Sequence, residues 1–129
     1  MRIDTQLAVF LENRPGMLAR VCEALAKARV NINALSVLDT VDHAVIRMVV
    51  DKPKEAERVL QQLPAMVQVR DVVFLDVPNE VGALARISQR LAEAGINLEY
   101  AYCVGSTSGS PGGLVLRTND LEGTINALS

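Results

Sequence analysis

The sequence Gly16-Met17-Leu18-Ala19-Arg20-Val21 returns later in the chain as Gly82-Ala83-Leu84-Ala85-Arg86-Ile87. The two stretches lie 66 residues apart (82 − 16), and the same offset aligns the residues that follow without a gap. Leu25, Ala26, Ala28 and Asn31 coincide with Leu91, Ala92, Ala94 and Asn97. A match of this length is improbable by chance in a chain of 129 residues, so the sequence is a tandem duplication.

Each copy of this stretch is predicted to begin a helix that follows a strand. Apolar residues recur with helical spacing at Leu18, Val21, Cys22, Leu25 and Ala28, and at Leu84, Ile87, Leu91 and Ala94. The preceding segments Thr5–Leu11 and Val72–Val77 are apolar and β-branched, and turn residues follow both of them. Pro15 is predicted to lie in the first turn of its helix. Gly95 is predicted to end the second helix in a left-handed conformation, where the first repeat has Arg29.

The remaining segments predict a hairpin and a short helix in each repeat. The hairpin strands are Ile32–Leu38 with Ala44–Val50, and Leu98–Val104 with Gly113–Thr118. Asp51 is predicted to cap a helix with Pro53 in its first turn, and Asp120 or Asn119 to do the same in the second repeat. Met66–Arg70 is predicted to be a strand that runs almost directly into the second repeat.

This order, β-α-β-β-α-β, defines an α+β protein of two tandem ferredoxin-like units with antiparallel sheets and helices on one face. The predicted domains are residues 1–70 and 71–129. The second repeat reaches Ser129 within its second helix, so its sheet is predicted to lack the last strand. Such an edge is prone to pairing, and our hypothesis is that either Met1–Asp4 or an edge from a second chain completes it.

The small size of each unit predicts a homodimer or higher homo-oligomer. A unit of about 65 residues has a marginal core, and pairing of units is a simple way to extend it. Leu35, Val37, Val45 and Val49 are predicted to form an apolar sheet face that needs cover.

The stretch Leu11-Glu12-Asn13-Arg14-Pro15-Gly16-Met17-Leu18, followed by a helix and Val30-Asn31-Ile32-Asn33, resembles an ACT domain. The resemblance covers nearly the whole chain as two copies, and is similar to small stand-alone proteins made of tandem ACT domains. It implies a regulatory module that binds an amino acid between two units, where the first loop of one unit faces the second strand of its neighbour. The implied contacts are Asn13, Arg14, Pro15, Gly16, Met17 and Leu18, with Asn31 and Ile32 opposite. The equivalents in the second repeat, where the proline stands away from the glycine, are Asn79, Glu80, Val81, Gly82, Ala83 and Leu84, with Asn97.

Elementary chemistry favours the same position. The start of a helix presents unpaired N–H groups and partial positive charge, so the backbone after Pro15 can hold a carboxylate. Gly16 lets a ligand approach the backbone closely. Asn31 and Asn97 each carry a donor and an acceptor that can recognise an α-amino group, and Glu80 can attract an ammonium. Other interpretations remain open: a plain turn at residues 13–16, helix-exit caps at Asn31 and Asn97, and a solvated Arg14.

Composition excludes several classes of protein. With 13 Lys and Arg against 15 Asp and Glu, two Phe, two Tyr and no Trp, the chain lacks the basic and aromatic surface that binds nucleic acid. No segment has the length of a membrane span or a secretory signal, so a cytoplasmic protein is expected. Cys22 and Cys103 are expected to be buried thiols. The glycine- and serine-rich segment 105–113 is predicted to be a hairpin tip, and His43 an exposed turn residue.

No catalytic set is recognisable in the sequence. There is a single histidine, no GxSxG, and no gathered carboxylates, so neither catalysis nor a cofactor nor a metal site is expected. Two hypotheses follow. The first is a non-catalytic amino-acid sensor, and the alternative is a protein-interaction module that docks on an enzyme or signalling partner without a ligand.

Overall fold

The computed structural model describes residues 1–105 and 111–129, and within them the chain forms six strands and four helices. The strands are β1 (Arg2–Glu12), β2 (Ile32–Asp39), β3 (His43–Val50), β4 (Met66–Pro78), β5 (Leu98–Val104) and β6 (Pro111–Thr118). The helices are α1 (Met17–Lys27), α2 (Pro53–Leu60), α3 (Ala83–Glu93) and α4 (Leu121–Leu128). The predicted α+β class of two ferredoxin-like units is confirmed. The first repeat has the order β-α-β-β-α-β, and the second has β-α-β-β-α, since its described chain ends in α4.

The chain divides into two units, which we call the first and the second unit. The first unit is Thr5–Arg70, and the second combines Met1–Asp4 with Asp71–Ser129. The strand order is β2-β3-β1-β4 in the first unit and β1-β4-β6-β5 in the second. Strands β1 and β4 are long, with 11 and 13 residues, and each contributes one end to each unit. Met66–Arg70 and Val72–Val77 therefore form one strand without a break.

The sequence predicted that the second unit lacks its last strand, but in the structure β1 supplies a strand beside β4. Met1–Asp4 groups with residues 71–129, and β1 lies next to β4. The Arg2 guanidinium lies 4.4 Å from the centre of the Phe74 ring, a cation–π distance. The first of the two segments proposed to complete this sheet is therefore the one found, because β1 extends three residues before the predicted start at Thr5.

Each unit has its own apolar core between its sheet and its helices. In the first unit, alternate residues of β1 and β3 face the core together with residues of both helices. These core residues are Leu7, Val9, Leu11, Met17, Val21, Leu25, Val30, Ile46, Met48, Val50, Ala56 and Leu60. The second unit has a smaller buried cluster of Val73, Leu75, Leu91, Leu114 and Leu116.

The four residues predicted to share one uncovered sheet face lie on two faces. Leu35 and Val37 pair with Met48 and Ile46, so they point to the same side as the core. They lie on the outermost strand β2 and are 39% and 50% exposed. Val45 and Val49 point to the other side and are buried.

The helix ends differ from the prediction at two positions. Pro15 precedes the helix, because the left-handed Gly16 (φ 88°) is the N-cap of α1. Asp51 does not cap α2, whose N-cap is Lys52, whereas Pro53 is at the first position as predicted. Asp120 caps α4 by accepting a hydrogen bond from the Gly123 amide at 2.9 Å.

Three further predictions concern surface residues. Cys22 is half-buried, but Cys103 is exposed on β5, so the prediction of two buried thiols is wrong for Cys103. His43 is exposed at the start of β3. Residues 106–110 of the predicted hairpin tip lie outside the described residues. Within the described ranges, no group of three His, Cys, Asp or Glu is placed to hold a metal ion, and no helix is long and apolar enough to cross a membrane.

Candidate functional site

The loop between β1 and α1 is an exposed turn at the end of the sheet. The Asn13 amide group donates to the Asp39 carboxylate at the end of β2, which fixes the first residue of the loop. Arg14 forms an ion pair with Glu12 at 3.0 Å, and its guanidinium is more than half exposed. Gly16 closes the turn with positive φ, a conformation in which glycine lacks the steric penalty of other residues.

The loop between β4 and α3 repeats this geometry with different side chains. Gly82 has φ 86° and ψ −4°, almost the values of Gly16. Glu80 pairs with Arg86 of α3 at 2.6 Å. Val81 occupies the position of Pro15 and is fully exposed. The displaced proline therefore does not change the backbone at the helix start.

Both helices begin without a side-chain cap. The N-cap residues Gly16 and Gly82 have no side chain to cap the helix, and neither first turn carries an acidic residue. The first N–H groups of such a helix point outward with partial positive charge. Leu18 and Leu84 lie beside these groups and are 41% and 52% exposed. Each helix start therefore combines partial positive charge with an exposed apolar side chain. The Met17 and Ala83 side chains face the core, and their backbone amides donate to the Arg14 and Glu80 carbonyls at 3.4 and 3.3 Å.

Asn31 and Asn97 occupy equivalent positions before β2 and β5. The backbone N–H of Asn31 donates to the Asp51 carboxylate at 2.9 Å, and the backbone N–H of Asp51 donates back to the backbone carbonyl of Asn31 at 3.1 Å. Asn119 forms the same reciprocal pair with Asn97, at 3.1 and 3.3 Å. The side-chain Nδ2 of Asn31 donates to Asn33 at 2.9 Å, which orients this exposed side chain at the surface. Its side-chain oxygen, Oδ1, is the acceptor that it can offer to a ligand.

Within one unit, the structure separates Asn31 from the loop at residues 13–16. Strands β1 and β2 are both antiparallel to β3, so they run parallel to each other. Leu11 and Asp39 both pair with Ala44 at one end of the sheet, whereas Asn31 precedes the other end of β2. An eight-residue strand at about 3.3 Å per residue places them roughly 25 Å apart. Ile32 lies with Asn31, and Asn97 is separated from the second loop in the same way.

A cavity of about 130 Å³ adjoins the loop of the second unit. Asn79 and Leu84 form one wall, and the end of β5 with Cys103 and Val104 forms the other. Gly113 borders the cavity, and a Cβ there would lie 2.9 Å from the Phe74 ring, so only glycine fits. A larger groove of about 520 Å³ between α1 and α2 contains none of the predicted site residues.

Sequence reasoning did not identify Asp39, Asp51 and Asn119 as the residues that position the site. They are sequence-distant partners, 20 or more positions from Asn31, Asn97 or Asn13. The repeat contained one signal, because Asp51 and Asn119 each stand at the end of the second hairpin strand. Their interpretation as helix caps hid their role. Among the described groups, pKa shifts are resolved for Glu55 and Arg58 on α2, away from this site.

The chain therefore consists of two ferredoxin-like units, each with two helices packed on its strands and a matching left-handed glycine before its first helix. The chain belongs to the family described as ACT domain pair, whose model matches residues 1–128. The predicted resemblance is thereby confirmed. A comparison with curated proteins found no match.

Solved structures agree with this assignment. The chain is 32% identical to protein BT0572 of Bacteroides thetaiotaomicron, with a TM-score of 0.90 over 98% of this chain and 86% of that one. The ligand-free regulatory subunit of aspartate kinase from Thermus thermophilus shares the fold, with a TM-score of 0.71 and 18% identity over 99% and 95% of the two chains. The corresponding subunit from Thermus flavus has a TM-score of 0.65 at 21% identity, over 98% and 92%.

Proposed function

We propose that this protein is a non-catalytic, cytoplasmic sensor of an amino acid, which binds where the first units of two copies meet. The ligand carboxylate lies at the uncapped start of α1, and Asn31 of the other copy accepts a hydrogen bond from the α-ammonium. The pair of left-handed glycines that open α1 and α3 without a cap is the observation that carries this proposal. Its support is that such helix starts favour anions.

The proposal requires a homodimer, because the loop that begins at Asn13 and the Asn31 side chain lie far apart in one chain. The Asn13 loop and Asn31 are roughly 25 Å apart in one unit, too far for one amino acid to touch both. Strand β2 is the outermost strand of the first unit and exposes Leu35, Val37 and Leu38. Pairing of two copies along β2 covers these side chains and brings the loop of one copy to Asn31 of the other.

Ligand binding regulates through linkage. An amino acid that contacts both copies stabilises the paired arrangement, so its concentration changes the population of that arrangement. The regulatory subunits of aspartate kinase share this fold, which supports a regulatory role on an enzyme or signalling partner.

Thermal unfolding against each of the twenty amino acids, combined with mass measurement in solution, tests the proposal. At about a hundredfold excess over Kd, a bound ligand contributes about 2.7 kcal/mol, a shift of several degrees in Tm for a chain of this size. The absence of a shift with all twenty would contradict the proposal and favour the ligand-independent interaction module. Gly16→Val and Asn31→Ala should reduce the shift, because one obstructs the helix start and the other removes the acceptor.

Co-expression of Asn13→Ala and Asn31→Ala chains with different tags tests whether one ligand bridges two copies. Each variant alone is expected to lose most binding. The purified heterodimer has one site with both substitutions and one with neither, so about half the wild-type sites should return. A heterodimer that binds no ligand would show that Asn13 and Asn31 serve the same chain's site. Full binding by either variant alone would show that the substituted residue serves no site.

A further inference from the structure

The second unit contains a cavity of about 190 Å³ on the helix side of its sheet, between β4, α3 and the end of α4. Its walls are apolar, with Leu75 and Val77 from β4, Ile87 from α3 and Leu128 from α4. Ala83 also borders the cavity, as do two arginines of α3, Arg86 and Arg90, which are both exposed.

The first unit shows why this space is open. At the equivalent positions it has Met17 in place of Ala83, Leu11 in place of Val77 and Val21 in place of Ile87. Met17, Leu11 and Val21 are 5%, 2% and 0% exposed, whereas Val77 and Ile87 are only half-buried. Leu63 also packs against the core of the first unit. The smaller side chain at Ala83 therefore leaves room in the second unit that a methionine fills in the first.

The polar groups of the cavity favour an anion. Arg86 is paired with Glu80 at 2.6 Å, but Arg90 forms no ion pair with any described residue. At the position of Arg90 the first unit has Ala24, so this charge belongs to the second unit alone. Asp76 lies between Leu75 and Val77 on β4, and its side chain projects from the other face by strand alternation. No carboxylate of the described lining therefore points into the cavity to hold an ammonium.

We propose that this cavity is a second binding site, for a small carboxylic acid without an α-amino group. An apolar cavity of about 150 Å³ accommodates benzene, so the space takes a single ring or a short branched chain. The carboxylate pairs with Arg90, since a guanidinium binds carboxylates through two parallel hydrogen bonds. The site is independent of the proposed amino-acid site, because Asn31 and the α1 helix start are not part of it.

Titration of the full chain with benzoate, followed by methyl NMR, tests the proposal. Benzoate is expected to shift the methyl signals of Val77, Ile87 and Leu128, while those of Leu11 and Val21 in the first unit stay unchanged. Benzyl alcohol has the same ring and no charge, so it should bind about tenfold more weakly. Benzylamine should not bind. The absence of shifts at the three methyl groups at about 10 mM benzoate would overturn the proposal.

Two variants test separately whether binding needs the open space and whether it needs the charge of Arg90. Ala83→Met, the residue that the first unit has, should abolish benzoate binding and leave Tm equal or higher, because it fills the space. Arg90→Gln should weaken binding about tenfold. Arg20→Gln in the first unit is the matched control and should bind as the wild type. Binding unchanged in Ala83→Met would refute the cavity as the site. Asn31→Ala should keep benzoate binding, so a failure of the amino-acid proposal remains distinguishable.

Discussion

Arg29 and Gly95 occupy the same position at the ends of α1 and α3, and both have a left-handed backbone, with φ of 56° and 69°. A residue with a Cβ is strained there by about 1–2 kcal/mol, whereas glycine is not. Arg29→Gly should therefore raise the free energy of unfolding by up to about 1 kcal/mol, after the extra entropy of glycine in the unfolded chain is subtracted. Urea unfolding measures it.

The control for this substitution is the reverse change at the equivalent position of the second repeat, where glycine is replaced by a residue with a Cβ. Gly95→Ala should lower the free energy of unfolding by about 1 kcal/mol, and nothing within 4 Å of its Cβ position would add a clash. The Arg29 carbonyl still accepts from the Lys52 ammonium in the Arg29→Gly variant, since that bond uses the backbone. Loss of stability in Arg29→Gly would contradict the argument and assign the Arg29 side chain a structural role.

Local sequence signals explain why some residues were predicted and others not. Gly95 was recognised because glycine is the usual left-handed residue, whereas Arg29 was visible only as its partner in the repeat. Pro15 was misplaced by one turn because proline suits both the first helical position and a preceding turn. The pairing of Asn13 with Asp39 depends on β1 and β2 ending at the same edge, which no local pattern reveals.

At the scale of the helix, α4 and α2 differ in how their N-termini are held. Asp120 accepts the Gly123 amide at 2.9 Å, so Asp120→Ala should lower the free energy of unfolding by about 1 kcal/mol in a denaturation experiment. Asp51→Asn should change it by less than about 0.5 kcal/mol, because an amide oxygen can accept from Asn31 as Asn119 does from Asn97. A loss of about 1 kcal/mol in Asp51→Asn would contradict this argument and show that the bond to Asn31 depends on the carboxylate charge.

Helix α2 is also expected to depend on pH. The hydrogen bond from Arg58 holds the pKa of Glu55 below its usual 4.5. A carboxylate with a lowered pKa stabilises the folded chain above its unfolded pKa, and this contribution disappears as the pH falls through the folded pKa. Glu55→Gln should therefore lower stability at pH 7 and not at pH 2.5. Because the pair is exposed, 1 M salt should reduce the difference at pH 7, and a difference that persists at low pH would contradict this origin.

The sequence predicted the helices and strands well where the whole element belongs to one unit. The hairpins and first helices of both repeats agree with the structure within two residues at most boundaries, because the 66-residue offset supplies two independent patterns for each element. The long strands β1 and β4 were divided incorrectly, since each contributes to two units and no composition change marks residues 4 and 70. At the 66-residue offset Arg2–Asp4 aligns with Gln68–Arg70, which is the early part of β4. The side chains of the two segments are not alike, so the repeat did not reveal that β1 begins before Thr5.

At the scale of the whole molecule, the proposed function requires that two copies pair along β2. Val37 is on this outermost strand, half exposed, and faces the helix side of the sheet. A lysine at such an edge opposes pairing, because its charge would have to be buried between two strands. Val37→Lys should therefore convert a dimer to a monomer in sedimentation or light scattering, and remove the thermal response to the amino acid.

Val41→Lys is the matched control, because Val41 is 97% exposed in the turn after β2 and the same charge is added there. It should keep both the dimer mass and the response. The two measurements together decide the mechanism. If Val37→Lys is monomeric and still responds, the amino acid binds within one chain and Asn31 does not complete the site of a second copy. If it remains a dimer, the chains associate through another surface, and the exposed side chains of β2 serve a different partner.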